Sequence, residues 1–141
     1  MRLTVLTLVV ALAGCGGTAP DIQVSDAWAR ATAPGQSSGA VYAIIANGGG
    51  GADRLVGVSA TAGTAMLHAN DDEGGVARMR MVADMAVPAR ARVELAPGAT
   101  HVMLSGLKAP LAAGGRFPLT FQFAGAGSRT VEVAIVAAGA R

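Results

Sequence analysis

A chain of 141 residues holds one domain of ordinary size and not two. The formal net charge is +2, charged residues make up 14%, and no run of Lys or Arg stands out, so nothing here implies a nucleic-acid partner. Hydrophobic residues reach 52% with only 4% aromatic and twenty glycines, which suggests a core of small side chains and many turns.

Residues 1–14 read as a signal sequence: Arg2 supplies a short positive start, and Leu3 to Ala13 is an apolar run. That run falls short of the about 20 residues a bilayer span needs. Leu12-Ala13-Gly14-Cys15 resembles a bacterial lipobox, in which cleavage precedes the cysteine and the cysteine carries the lipid. The plainer alternative is a secretory signal with Cys15 incidental; the lipobox is preferred because the cysteine stands where the apolar run ends. On that reading residues 15–20 are a lipidated cysteine and tether, and 21–141 the folded domain, held to a membrane in the periplasm. Gly16, rather than an aspartate, points to the outer membrane. Cys15 is the only cysteine, so no intramolecular disulfide can form and the domain offers no thiolate to a metal.

From Asp21 the apolar pattern predicts strands throughout. Asp21 to Arg30 alternates loosely through Ile22, Val24, Ala27 and Ala29. A loop at Pro34-Gly35 follows, then a dense apolar strand from Ala40 to Ala46 and a glycine turn over Asn47 to Gly51. Arg54 to Ala60 alternates again, and Thr64 to Ala69 places His68 on a strand. The acidic stretch Asn70 to Gly75 reads as a connection. Its Asp71-Asp72-Glu73 lacks the spaced oxygens of a calcium loop and is expected to be a solvated turn. Val76 to Val82 alternates so that Met79 and Met81 share a face. Pro88 breaks the next segment. Ala91 to Leu95, Thr100 to Ser105, Phe117 to Phe123 and Arg129 to Ala137 complete eight or nine short strands, with no helical period anywhere after the signal. Strands of this length and spacing predict an all-β sandwich or barrel.

The chemistry concentrates between His68 and Met103. Both histidines of the chain, His68 and His101, fall in this segment with Met79, Met81, Met85 and Met103. On a strand, His101 and Met103 point the same way, so imidazole and thioether can converge on one ion. Thioether sulfur is neutral, soft and never protonated in water; two imidazoles and two thioethers favour Cu(I) over Zn(II) or Mg(II). Met81, on the face of Met79, and Met66, on the face of His68, are rival sulfur donors. Methionines also commonly fill core gaps. A β-sandwich whose His and Met residues are merely packed therefore stays open on the residues alone. An electron-transfer cupredoxin is disfavoured because it needs a cysteine in the domain. No nucleophile–His–acid set or carboxylate pair suggests an enzyme.

The spacing His68-x10-Met79-x21-His101-x-Met103 resembles the copper motif of the PCuAC-type periplasmic copper chaperones. Asp26 to Gln36, Ser38 to Tyr42, Asp53 to Val56, the surroundings of Met79-Arg80, and His101 to Lys108 are similar to that family as well, over roughly residues 22–136. The resemblance implies an all-β, cupredoxin-like Greek-key β-sandwich. It implies Cu(I) as the ion and His68, Met79, His101 and Met103 as its ligands. Its members pass copper to the binuclear centre of cytochrome c oxidase, on subunit II, directly or with a thioredoxin-like copper assembly protein. Two departures are visible. The segment after His68 lacks the methionine many members have there, and the sequence shows no His- and Met-rich tail, so a single site is expected. Copper storage or tolerance is the alternative role.

Overall fold

The structure is a computed structural model that describes residues 18–141; the signal sequence and Cys15 lie outside them. Ten strands follow in chain order, with no helix among the described residues: β1 (Ile22–Arg30), β2 (Ser38–Asn47), β3 (Asp53–Ala60), β4 (Thr64–Glu73), β5 (Val76–Val82), β6 (Met85–Val87), β7 (Arg92–Leu95), β8 (His101–Ser105), β9 (Arg116–Phe123) and β10 (Gly127–Val136). They hydrogen-bond in the order β5-β4-β8-β2-β1-β10-β9-β3-β6, and β7 pairs with β2 beyond the part that β8 covers. Pairing is antiparallel except between β1 and β10.

This ladder doubles back on itself as two layers. Alternation decides which side chains meet between them. In β9, Phe117, Leu119, Phe121 and Phe123 point inward while Arg116, Pro118 and Gln122 point out. Val41, Ile45, Leu67, Val102 and Leu104 from the β5-to-β1 layer join Leu55, Leu119, Phe121 and Val133 from the other in one core. Each such side chain stabilises the fold by about 1.5–3 kcal/mol on burial.

Three features depart from the sequence-based expectation. β4 does not stop at Ala69. It runs on through the acidic stretch to Glu73, because that stretch pairs with β5 residue by residue, from Asn70↔Met79 to Glu73↔Val76. The reversal falls on Gly74 and Gly75 alone, both at positive φ, as a two-residue hairpin requires. Asp71 is thus a strand residue, and its carboxylate accepts from the Arg80 guanidinium across the pair at 3.1 Å. β6 is a three-residue strand that the pattern around Pro88 concealed; it exists by pairing with β3. In β1, a bulge between Ser25 and Trp28 explains the loose alternation there. Asp26 sits at φ 49, and the extra residue turns Trp28 to the outer face opposite Tyr42.

Asn47 gathers the end of the molecule remote from the histidines. Its side-chain oxygen accepts from the backbone N–H of Asp21 (3.1 Å) and Gly49 (3.0 Å), and its amide donates to the carbonyls of Gly51 (2.8 Å), Val87 and Pro88. The tether packs so closely here that a Cβ on Gly49 would overlap the backbone of Ala19 and Asp21. Gly49→Ala is therefore expected to destabilise the domain by about 2 kcal/mol or more in urea unfolding. A Cβ on Gly57 meets only the Gln122 Cβ at 3.7 Å, so Gly57→Ala should leave the midpoint nearly unchanged.

Candidate metal centre

The register of β4, β8 and β5 assembles the site. His68 lies directly opposite His101, and Met66 opposite Met103. Between them Leu67 and Val102 point the other way and are buried in the core. On the other side of β4, His68 faces Met81 and Asn70 faces Met79. Directly opposed residues share a face, so Met66, His68, Met79, Met81, His101 and Met103 all stand on the outer surface of one layer. The two imidazole rings are 6.2 Å apart between centroids and tilted by 56°.

The sequence-predicted ligands thus share one face but do not form one row. His68 and His101 make the central row. Met103 is diagonal to His68 on one side, Met79 diagonal to it on the other. Diagonal neighbours sit about 7–8 Å apart, within reach of a long unbranched side chain. Met81 shares the histidine row directly. Burial grades across the site: His101 is 6% exposed and His68 and Met103 are half-buried, whereas Met79 is 57% and Met81 69% exposed.

The two imidazoles are held differently. A turn over Pro97 and Gly98, closed by the Ala99 N–H donating to the Ala96 carbonyl at 3.0 Å, aims the Ala99 carbonyl back at β8. His101 Nδ1 lies 2.9 Å from that oxygen. A carbonyl can only accept, so Nδ1 carries the proton and the lone pair is on Nε2, facing away from the turn. This is the arrangement that orients a ligating histidine. His68 Nδ1 is buried and has no hydrogen-bond partner among the described residues, which costs about 1–3 kcal/mol unless something else binds it. No three His, Cys, Asp or Glu side chains gather around a common point among the described residues. The donors here are neutral imidazole and thioether, a set suited to a soft ion of low charge.

Beside the histidines, the same row continues through residues that sequence reasoning gave no role. The Tyr42 ring is 6.2 Å from that of His101, and Trp28 is 4.6 Å from Tyr42. Both are nearly buried although they lie on the outer face, because guanidinium groups cover them. Arg30 stands 5.6 Å from the Trp28 centroid and Arg141 5.3 Å. Arg141 is pinned there by the Asp26 carboxylate at 3.0 Å, and its carbonyl accepts from Arg30 at 2.9 Å. The bulge in β1 was the signal for this wall: loose alternation beside a lone tryptophan marks a re-aimed side chain.

A β-sandwich of this topology, with an open His/Met face on β4, β5 and β8, defines a PCuAC-type domain of cupredoxin-like fold. Solved structures agree. The copper-bound PCuAC domain from PmoF2 matches with a TM-score of 0.70 at 26% identity, covering 82% of this chain and 92% of that one. The apo PCuAC domain from PmoF1 matches at 0.69 and 30% identity, covering 82% and 93%. The solution structure of CuI-DR1885 from Deinococcus radiodurans matches at 0.64 and 28%, covering 88% and 83%. Among curated proteins, "Putative lipoprotein Lxx21020" of Leifsonia xyli subsp. xyli is 32% identical over 145 residues, covering 94% of this chain and 86% of its own. Residues 22–135 match the family described as "Putative lipoprotein LpqE-like", and the chain belongs to that PCuAC-type family.

Proposed function

We propose that this protein is a periplasmic, lipid-anchored carrier of Cu(I), a chaperone rather than an enzyme, which binds one ion through His68, His101, Met79 and Met103. The observation that carries the reading is the opposition of His68 and His101 on an outward face, flanked by thioethers, with one imidazole nitrogen buried and, among the described residues, unpartnered. Copper-bound relatives of the same fold support the choice of ion, and membership of a lipoprotein family supports the anchor.

Delivery works by ligand exchange. Neutral donors hold Cu(I) without a thiolate, so an acceptor offering cysteine thiolates binds it more tightly and the ion moves downhill. The exposed sulfurs on β5 give such an acceptor access. The proposed recipient is the copper centre of cytochrome c oxidase subunit II, reached directly or through a thioredoxin-like assembly protein. A deletion strain grown at limiting copper should then show oxidase depleted in copper; normal oxidase copper would assign the carrier to storage or tolerance.

The test of binding is titration of the metal-free domain with Cu(I) against a competing chelator. One ion per chain is expected. His101→Ala should weaken it by more than about 100-fold, beyond the 10–100-fold that loss of an outer-shell partner costs. A stoichiometry well away from one, or an unaffected His101→Ala variant, rejects the reading.

A further inference from the structure

The outer face carries more sulfur than a four-ligand site needs, and one surplus thioether is placed unlike the others. Met81 lies directly opposite His68, in the row of the two imidazoles, whereas Met79 is a row away opposite Asn70. Met81 is 69% exposed, so it fills no gap in the core. Its strand, β5, is the end of the ladder and pairs only with β4 among the described residues. Edge strands in native proteins are usually blunted with charged side chains. Here the two guanidinium residues, Arg78 and Arg80, alternate to the opposite face, and the metal-binding face of the edge keeps bare methionines instead.

We propose that Met81 is the transfer ligand of this site. It is a thioether outside the resting set that binds Cu(I) transiently at the sheet edge and presents it to an incoming thiolate. The inference rests on the copper-carrying reading above and adds a route to it. On the β2 side the Tyr42 ring stands 6.2 Å from that of His101, which is only 6% exposed, whereas the β5 side is the edge of the sheet. From the β5 side an acceptor meets two thioethers, of which Met81 is the more exposed, at 69% against 57% for Met79, and the one in the histidine row. In the exchange, the Met81 sulfur–copper bond forms as a bond to one resting ligand breaks. An acceptor cysteine then forms a copper–thiolate bond as the remaining resting ligands leave, and the second cysteine's thiolate displaces the Met81 sulfur. Copper remains Cu(I) throughout, no electron moves, and the thiol protons go to water.

The test uses the domain loaded with Cu(I) and a peptide carrying two cysteines as acceptor, with transfer followed by stopped flow. Met81→Leu keeps the shape and the exposure, and its metal-free urea midpoint should equal that of the wild type. Its equilibrium affinity for Cu(I) should stay within about threefold, about 0.7 kcal/mol, while transfer slows by about tenfold or more. Met79→Leu should instead weaken equilibrium binding. Transfer at the wild-type rate in Met81→Leu overturns the proposal. So does a loss of affinity matching that of Met79→Leu, which would make Met81 a resting ligand. Failure of the wild-type domain to bind Cu(I) at all would appear in the titration before any transfer is measured, and would strike the parent reading instead.

Discussion

Asp53→Ala is expected to destabilise the domain by about 3 kcal/mol at neutral pH. The Asp53 side chain is buried, and its carboxylate accepts three backbone N–H groups: Gly125 at 2.7 Å, Ala126 at 2.8 Å and its neighbour Arg54 at 2.8 Å. It ties the start of β3 to the turn between β9 and β10. Alanine leaves those donors without their acceptor in a confined place, and hydrogen bonds to a charged group are worth about 1.5–3 kcal/mol each before compensation by water. The effect carries a pH signature. Burial by itself pushes the carboxyl up. The N–H groups of Gly125, Arg54 and Ala126, with the Arg129 charge, outweigh it and hold the group below the usual carboxylate range. A depressed folded value means that the stabilisation is complete above the unfolded value, about 3.9, and is lost as pH falls through the folded one. The gap in urea midpoint between wild type and Asp53→Ala should be constant from neutral pH down to about 5 and narrow below about 4. A gap of equal size at pH 7 and pH 3 would show that the charge contributes nothing.

Much of this fold is legible in the sequence because its strands alternate cleanly where one face is buried. Phe117 to Phe123 and Arg129 to Ala137 announce themselves to within two residues of the observed ends of β9 and β10. What stayed hidden depends on partners rather than on local pattern. β6 has three residues, too few to show a period, and its strand character comes from β3. The end of β4 is acidic and reads as a turn by composition. Pairing with β5 overrides that, and the Asp71–Arg80 ion pair is visible only once register is known.

The site divides in the same way. That His101 and Met103 share a face follows from period 2, and spacing brings in His68 and Met79. Spacing cannot give the row each residue occupies. The opposition of His68 to both His101 and Met81, and the offset of Met79, are matters of strand register. Nor could it show that a carbonyl two residues before His101 sets its tautomer, since this needs the Gly98 turn. Trp28 and Tyr42 stood in segments similar to the family, but their role as a wall beside His101 depends on the bulge that turns Trp28 outward.

Two histidine variants should move stability in opposite directions, and that crossing separates ligand from scaffold. Cu(I) held at about 100 to 1,000 times its dissociation constant stabilises the wild-type domain by about 2.7–4.1 kcal/mol, because it binds the folded state alone. For a domain of this size that raises the melting temperature by about 10 °C or more. Both His68→Phe and His101→Ala should abolish the rise. Without copper they should differ. His68→Phe removes a buried nitrogen that has no partner among the described residues, so the metal-free domain should gain up to about 1 kcal/mol. His101→Ala deletes a hydrogen bond to the Ala99 carbonyl and the packing against Tyr42 and His68, and should lose about 2 kcal/mol. Thermal unfolding of three proteins with and without Cu(I) measures all of this. A metal-free His68→Phe domain less stable than wild type would show that the imidazole at 68 is there for packing, whereas a more stable one would show that the fold keeps an unsatisfied nitrogen in place for its cargo.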